Sequence, residues 1–100
     1  MKTVKHTGAP WVVRWRNGRL TTVIGRQRFP ICDTGTSPPG QANPRREEAN
    51  AFLISAAPDL LVCLTEIVAG MSGYAAAGSR AEQSFDRARA AIAKAHGVDR

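Results

Sequence analysis

Cysteine is scarce in this chain. Cys32 and Cys63 are the only two, they fall in separate stretches, and no CxxC spacing occurs, so no redox dithiol or zinc ribbon is written here. The start has no apolar core of a signal peptide, so free thiols in a reducing cytosol are expected. No run of about 18 apolar residues is present, which leaves no membrane-spanning helix to expect. Acidic residues are few, 8 Asp and Glu against 14 Lys and Arg, for a net charge of +6. That balance argues against mimicry of DNA, which needs an acidic chain, and favours acidic partners such as nucleic acid or a nucleoprotein surface.

Catalytic groups are also missing. Neither His6 nor His96 has a sequence partner, and each stands near a chain end. GTSPPG lacks the GK[ST] ending of a phosphate loop. Cys32, Cys63, His6 and His96 contain no ligand-pair spacing for a metal. No catalytic residue, metal or cofactor is expected, and the chain reads as a binding protein rather than an enzyme.

What is present centres on Asn43 to Val68. Asn43 can cap a helix, Pro44 suits its first position, and Glu47 and Glu48 suit its dipole. Ala49, Phe52, Leu53 and Ala56 follow at i, i+3, i+4, i+7 and predict the buried face. Pro58 ends that helix and can open a second, with Leu60, Leu61, Leu64, Ile67 and Val68 as its apolar face and Gly70 and Gly73 as stops. The pair reads as a helical hairpin. Val62 and Cys63 make Leu60–Leu64 apolar without a break, as Phe52–Ile54 is in the first helix. A helix apolar nearly all round is deeply buried or faces a partner, and a domain of 100 residues buries little on every side.

Ahead of this core, Met1–Pro10 reads as a loose arm. Trp11–Arg16 alternates as a strand, with Trp11, Val13 and Trp15 on the face expected to pack on the helices and Val12, Arg14 and Arg16 on the other. Asn17-Gly18 signals a type I′ hairpin turn. Arg19–Ile24 is the return strand. Arg26–Cys32 is a third, made an edge or irregular by Pro30. Arg14, Arg16, Arg19, Arg26 and Arg28 gather here among Trp11, Trp15 and Phe29, a mixture that can track phosphates and stack on bases. Residues 33–43 form a loop long for a mere connection. Arg45 and Arg46 stand against the dipole of the next helix and either meet an external anion or are neutralised by Glu47 or Glu48. Ser79 and Glu82 fit a capping box, and the last helix runs to about His96 with Gly97 beyond it. Phe85, Ala88, Ile92 and Ala95 form its apolar stripe, and Arg80, Arg87, Arg89 and Lys94 its basic face.

The expected fold is therefore α+β in one domain. A sheet spans 11–32, a loop 33–43, a helical hairpin 44–70, and a C-terminal helix 79–96.

Three blocks carry a resemblance. His6-Thr7-Gly8-Ala9-Pro10-Trp11, then Glu48–Leu61 (EANAFLISAAPDLL), then Ala88–Gly97 (ARAAIAKAHG) resemble a family of small bacteriophage and prophage proteins, whose central signature is usually ANARLIAAAPDLL. The resemblance implies a hairpin sheet with helices and a host bacterial cytoplasm, and implies no activity. Family members usually carry Arg where this chain has Phe52, and a charged residue and alanine where it has Val62 and Cys63. Phe52, Val62, Cys63 and the sheet arginines are the candidate partner contacts. By analogy of genome type and size, the expected function is inhibition of a host defence complex, foremost a type I CRISPR surveillance complex. The alternatives are a basic nucleic-acid-binding accessory protein and a structural protein that self-associates as a homodimer.

Overall fold

The computed structural model describes residues 6–38 and 40–97. A three-stranded antiparallel sheet in the order β1-β2-β3 is followed by three helices, an α+β fold. The strands are β1 (Val12–Arg16), β2 (Arg19–Ile24) and β3 (Pro30–Asp33), and the helices are α1 (Pro44–Ser55), α2 (Ala57–Met71) and α3 (Arg80–Ala95). The described residues divide into two compact units, one within Thr7–Asp59 and one made of His6 with 60–97.

In the sheet unit the β1–β2 turn is built as its residues demand. Asn17 and Gly18 both adopt positive φ, 51° and 76°, the type I′ geometry that matches strand twist. Arg26–Cys32 does not form one strand. A short turn occupies Arg26–Arg28, with Gln27 and Arg28 both left-handed at φ 58° and 60°, and β3 begins only at Pro30, on the sheet's edge. An edge tolerates proline because its missing N–H faces no strand.

Helix α1 has the expected start: the Arg46 amide donates to Asn43 Oδ1 at 3.1 Å, and Pro44 opens the helix. Its buried face is a correction. Glu47 and Ala51 are buried, with Ile54 and Ser55 half-buried, whereas Ala49, Phe52 and Leu53 are exposed; of the expected face only Ala56, at the C-cap, is half-buried. At about 100° per residue the observed and expected faces lie roughly half a turn apart. Small Ala51 lets α1 pack closely on β2, against the side of the sheet that carries Thr21 and Val23, both buried. Burying Val23 completely contributes about 2 kcal/mol.

The arm expected over 1–10 lies in part outside the described residues. Within the sheet unit its described part is tied down: Trp11 Nε1 donates to the Thr7 carbonyl at 2.9 Å, and the Arg26 amide to the Gly8 carbonyl, also at 2.9 Å.

In the helical unit α2 shows a stripe of half-buried Leu61 and Leu64 with buried Val68. Leu60 and Ile67, expected on the same face, are 54% and 52% exposed. Helix α3 is capped by Ser79, whose oxygen accepts from the Glu82 amide at 3.1 Å. Glu82 does not return to the Ser79 amide as a standard capping box would. It accepts from Gly78 instead, while the Ser79 amide donates to the Ala76 carbonyl. Phe85, Ala88 and Ile92 are half-buried as expected, Ala95 is exposed, and Gly97 ends the helix at φ 73°. His6 Nε2 lies 2.8 Å from the Ala95 carbonyl, and the His6 and His96 rings are 5.8 Å apart. No single described helix is long and apolar enough to cross a membrane.

Candidate nucleic-acid interface

The five sheet arginines separate into two groups. Arg19, at the start of β2, reaches Glu47 on α1, forming an ion pair in which the carboxylate side chain is 4% exposed. The Ser37 hydroxyl and then the Arg19 guanidinium hold the Glu47 carboxyl below its ordinary range, against desolvation that pushes it up. Glu48 accepts from the Leu20 amide at 3.1 Å, and the Thr34 hydroxyl donates to the Glu47 carbonyl at 2.6 Å. Glu47 and Glu48 thus anchor α1 to the sheet rather than neutralising Arg45 or Arg46. Arg16 donates to Asp33 Oδ2 at 3.1 Å. The Gly35 amide foremost, with Thr21, Arg16 and Thr22 adding, lowers the Asp33 carboxyl. Residues 33–37 of the loop therefore fold back on the sheet. Gly35 is needed there, because a Cβ would come within 2.9 Å of Thr21 Oγ1.

Arg14, Arg26 and Arg28 form the second group. All three are exposed, and among the described residues none has a carboxylate partner. Arg14 precedes Trp15, which is 69% exposed, and Arg28 precedes Phe29, which is 60% exposed. The exposure of Trp15 corrects the expectation that it packs beneath the helices with Trp11 and Val13. The β1–β2 register shifts between Arg14 and Trp15, so that Arg14 pairs with Thr22 and Trp15 with Leu20. The extra residue is Thr21, on β2, so the bulge distorts the pairing opposite Trp15, at the hairpin end of β1, while Arg14 and Trp15 remain successive residues of the unbulged strand. Trp11, by contrast, is half-buried with its indole N–H satisfied. At the other end of the sheet, Arg26, Gln27 and Phe29 line an open groove with Thr7 and Gly8.

The apolar candidates lie elsewhere. Phe52 on α1 is 51% exposed and Val62 on α2 is 55% exposed, and Cys63 is also exposed. Val62 and Cys63 are about 100° apart around α2. Cys63 shares its exposed stripe with Leu60, Ile67 and Met71, and Val62 does not. Cys32, on β3, is half-buried. Among the described residues no three His, Cys, Asp or Glu are grouped to hold a metal.

Sequence reasoning missed the pairing of Arg16 and Arg19 with carboxylates on other elements, and it missed the bulge. Neither leaves a local signal. The two left-handed residues at Gln27-Arg28 carry no glycine to announce them.

The class defined by these features is a small α+β protein with a three-stranded antiparallel sheet followed by three helices. Residues 1–99 match the family of Salmonella phage P22 protein Y8K6, and the chain belongs to this phage protein family. No curated protein and no solved structure matches it.

Proposed function

We propose that this phage-family protein is a non-enzymatic binding protein that contacts nucleic acid through Arg14 with Trp15 and Arg28 with Phe29, Arg26 adding charge beside the groove. One observation carries the reading: each of two arginines without a carboxylate partner among the described residues stands next to an exposed aromatic, while the two arginines that could have joined them are engaged by Asp33 and Glu47. Unpaired cations meet phosphates, and the π-faces of tryptophan and phenylalanine accept any base. The net charge of +6 supplies attraction at a distance. The binding is expected to weaken steeply with salt, and Trp15→Leu is expected to lower single-strand affinity about tenfold or more, since a stacked base is worth roughly 1–3 kcal/mol. Fluorescence anisotropy with a labelled oligonucleotide measures both. Affinity that is flat with salt, or indifferent to Trp15→Leu and Arg14→Gln together, refutes the assignment.

A second reading is favoured by the exposed apolar side chains Phe52 and Val62 together with Cys63. In it the helices dock on a host protein complex and block it, a type I CRISPR surveillance complex being the leading candidate. A defined multi-subunit complex recovered from nuclease-treated host lysate, and lost with Phe52→Arg plus Val62→Glu, is the result it requires. Recovery undiminished by those substitutions in a folded protein rules that surface out.

A further inference from the structure

Arg80, Arg87 and Lys94 stand seven residues apart on α3. At about 100° per residue they fall within about 40° of one another, along roughly 21 Å of helix. All three are exposed, as are Gln83, Ser84, Ala90 and Ala91 on the same side, while Phe85 and Ile92 are half-buried on the far side, about 140–160° round the helix from Arg87.

The helix keeps its own carboxylates away from this stripe. Glu82 is engaged at the cap, accepting from the Gly78 amide at 3.0 Å. Asp86 pairs with Arg89, at 2.9 Å, off the stripe. A solvated helix face usually interleaves both signs at i,i+3 and i,i+4 spacing, so that its cations are neutralised along the helix. Here the positions three and four residues from Arg80, Arg87 and Lys94 inside α3 are Gln83, Ser84, Ala90 and Ala91. None of them is acidic. The small side chains also keep the path between the cations low, so a polyanion can lie close to the helix surface.

We propose that the Arg80–Arg87–Lys94 stripe is a second contact surface for the phosphate backbone of nucleic acid. The proposal rests on the nucleic-acid reading above and extends it to the helical unit, with the sheet unit contributing stacking and α3 contributing charge alone. Among the described residues these three cations have no carboxylate partner, so in line they complement a polyanion, and nothing about the stripe offers base recognition. Its contribution is therefore independent of sequence and appears as salt dependence.

The test is a salt titration of binding to labelled single-stranded and duplex oligonucleotides of arbitrary sequence, from about 50 to about 200 mM. It compares the wild type, Arg80→Gln/Arg87→Gln/Lys94→Gln, and Arg89→Gln. The substitutions are exposed and helix-compatible, and circular dichroism checks that α3 persists. The triple variant is expected to lose about 2–3 from the slope of log affinity against log salt, close to one per lost phosphate contact. Arg89→Gln, whose charge Asp86 already meets, is expected to change the slope by much less than one third of that amount. A triple-variant slope equal to that of a binding wild type overturns the α3 surface and leaves the sheet assignment standing. A loss per charge equal in the triple variant and in Arg89→Gln also overturns it, because net charge alone then accounts for the effect. A wild type that binds neither oligonucleotide at low salt removes the parent reading and this one together.

Discussion

The two units of this chain are held together by different means. In Thr7–Asp59 the centre is closed: Val23 and Ala51 are fully buried, Thr21 and Glu47 nearly so, the Arg19–Glu47 ion pair and the Leu20 amide on Glu48 fasten α1 to β2, and the Thr34 hydroxyl bridges the Thr21 and Glu47 carbonyls. In the helical unit Val68 is the one buried side chain among the described residues, at 9% exposure, and Leu60, Val62, Ile67, Met71 and Tyr74 are all more than half exposed. Apolar burial and satisfied polar groups set local stability. The sheet unit is thus the rigid platform, and the helices are the region with surface left over. The difference also explains why the two proposed readings fall on different elements. Charge and aromatics are displayed by the platform, and uncovered apolar side chains by α2 and the outer side of α1.

The largest expected effect breaks the platform. Glu47→Ala leaves the partly buried Arg19 guanidinium unpaired, and it is expected to lower the melting temperature by about 10 °C or more. Both tryptophans, Trp11 and Trp15, lie in the sheet unit, so tryptophan fluorescence follows that unit while far-ultraviolet circular dichroism is weighted to the helices. The acid response follows from the same groups. The carboxyls of Glu47 and Asp33 are lowered in the fold, so on acidification the unfolded chain takes up protons first. Their contribution is fully present above the ordinary carboxylate range and is lost as pH falls through the lowered folded values. Fluorescence-detected stability is expected to decline below about pH 4–5, and Glu47→Gln to flatten that decline. A wild-type stability constant from pH 6 to pH 3 contradicts the role given to these carboxylates.

Much of this architecture was legible because local chemistry decides it. Asn17-Gly18 fixes the hairpin, Asn43-Pro44 and Ser79 start their helices, and Gly97 ends the last one, each through a backbone requirement of its own residues. What was not legible was decided at a distance. The apolar period of α1 points to Ala49, Phe52, Leu53 and Ala56, yet the helix turns half-way round because Arg19, Leu20 and Thr34 hold Glu47 and Glu48 against the sheet. Five arginines within fifteen positions look like one patch until Asp33 and Glu47, from β3 and α1, remove two of them. Trp15 looks like a core residue, yet at the hairpin end of β1, where the pairing with β2 is irregular, it stands 69% exposed. A period of hydrophobicity states that a helix has a preferred side, but long-range polar partners can outweigh it when the alternative face is small enough to pack closely.

The smallest expected effect sharpens the same comparison, because each unit carries one thiol. Cys32 is half-buried on β3, and desolvation, with the neighbouring Asp33 charge adding, raises its thiol above the ordinary cysteine range. Cys63 is exposed on α2. Alkylation proceeds through the thiolate and needs access for the reagent, so both factors slow Cys32. At neutral pH and low reagent, Cys63 is expected to react about tenfold faster or more, as peptide mapping of a time course reads directly. Denaturant should erase most of that difference, since burial and the Asp33 contact exist only in the fold. Glu47→Ala, by loosening the platform while leaving α2 as exposed as before, should speed Cys32 and leave Cys63 unchanged. Acceleration of both thiols by that single substitution would mean that the two units open as one and that the division between closed platform and open helices does not govern their dynamics.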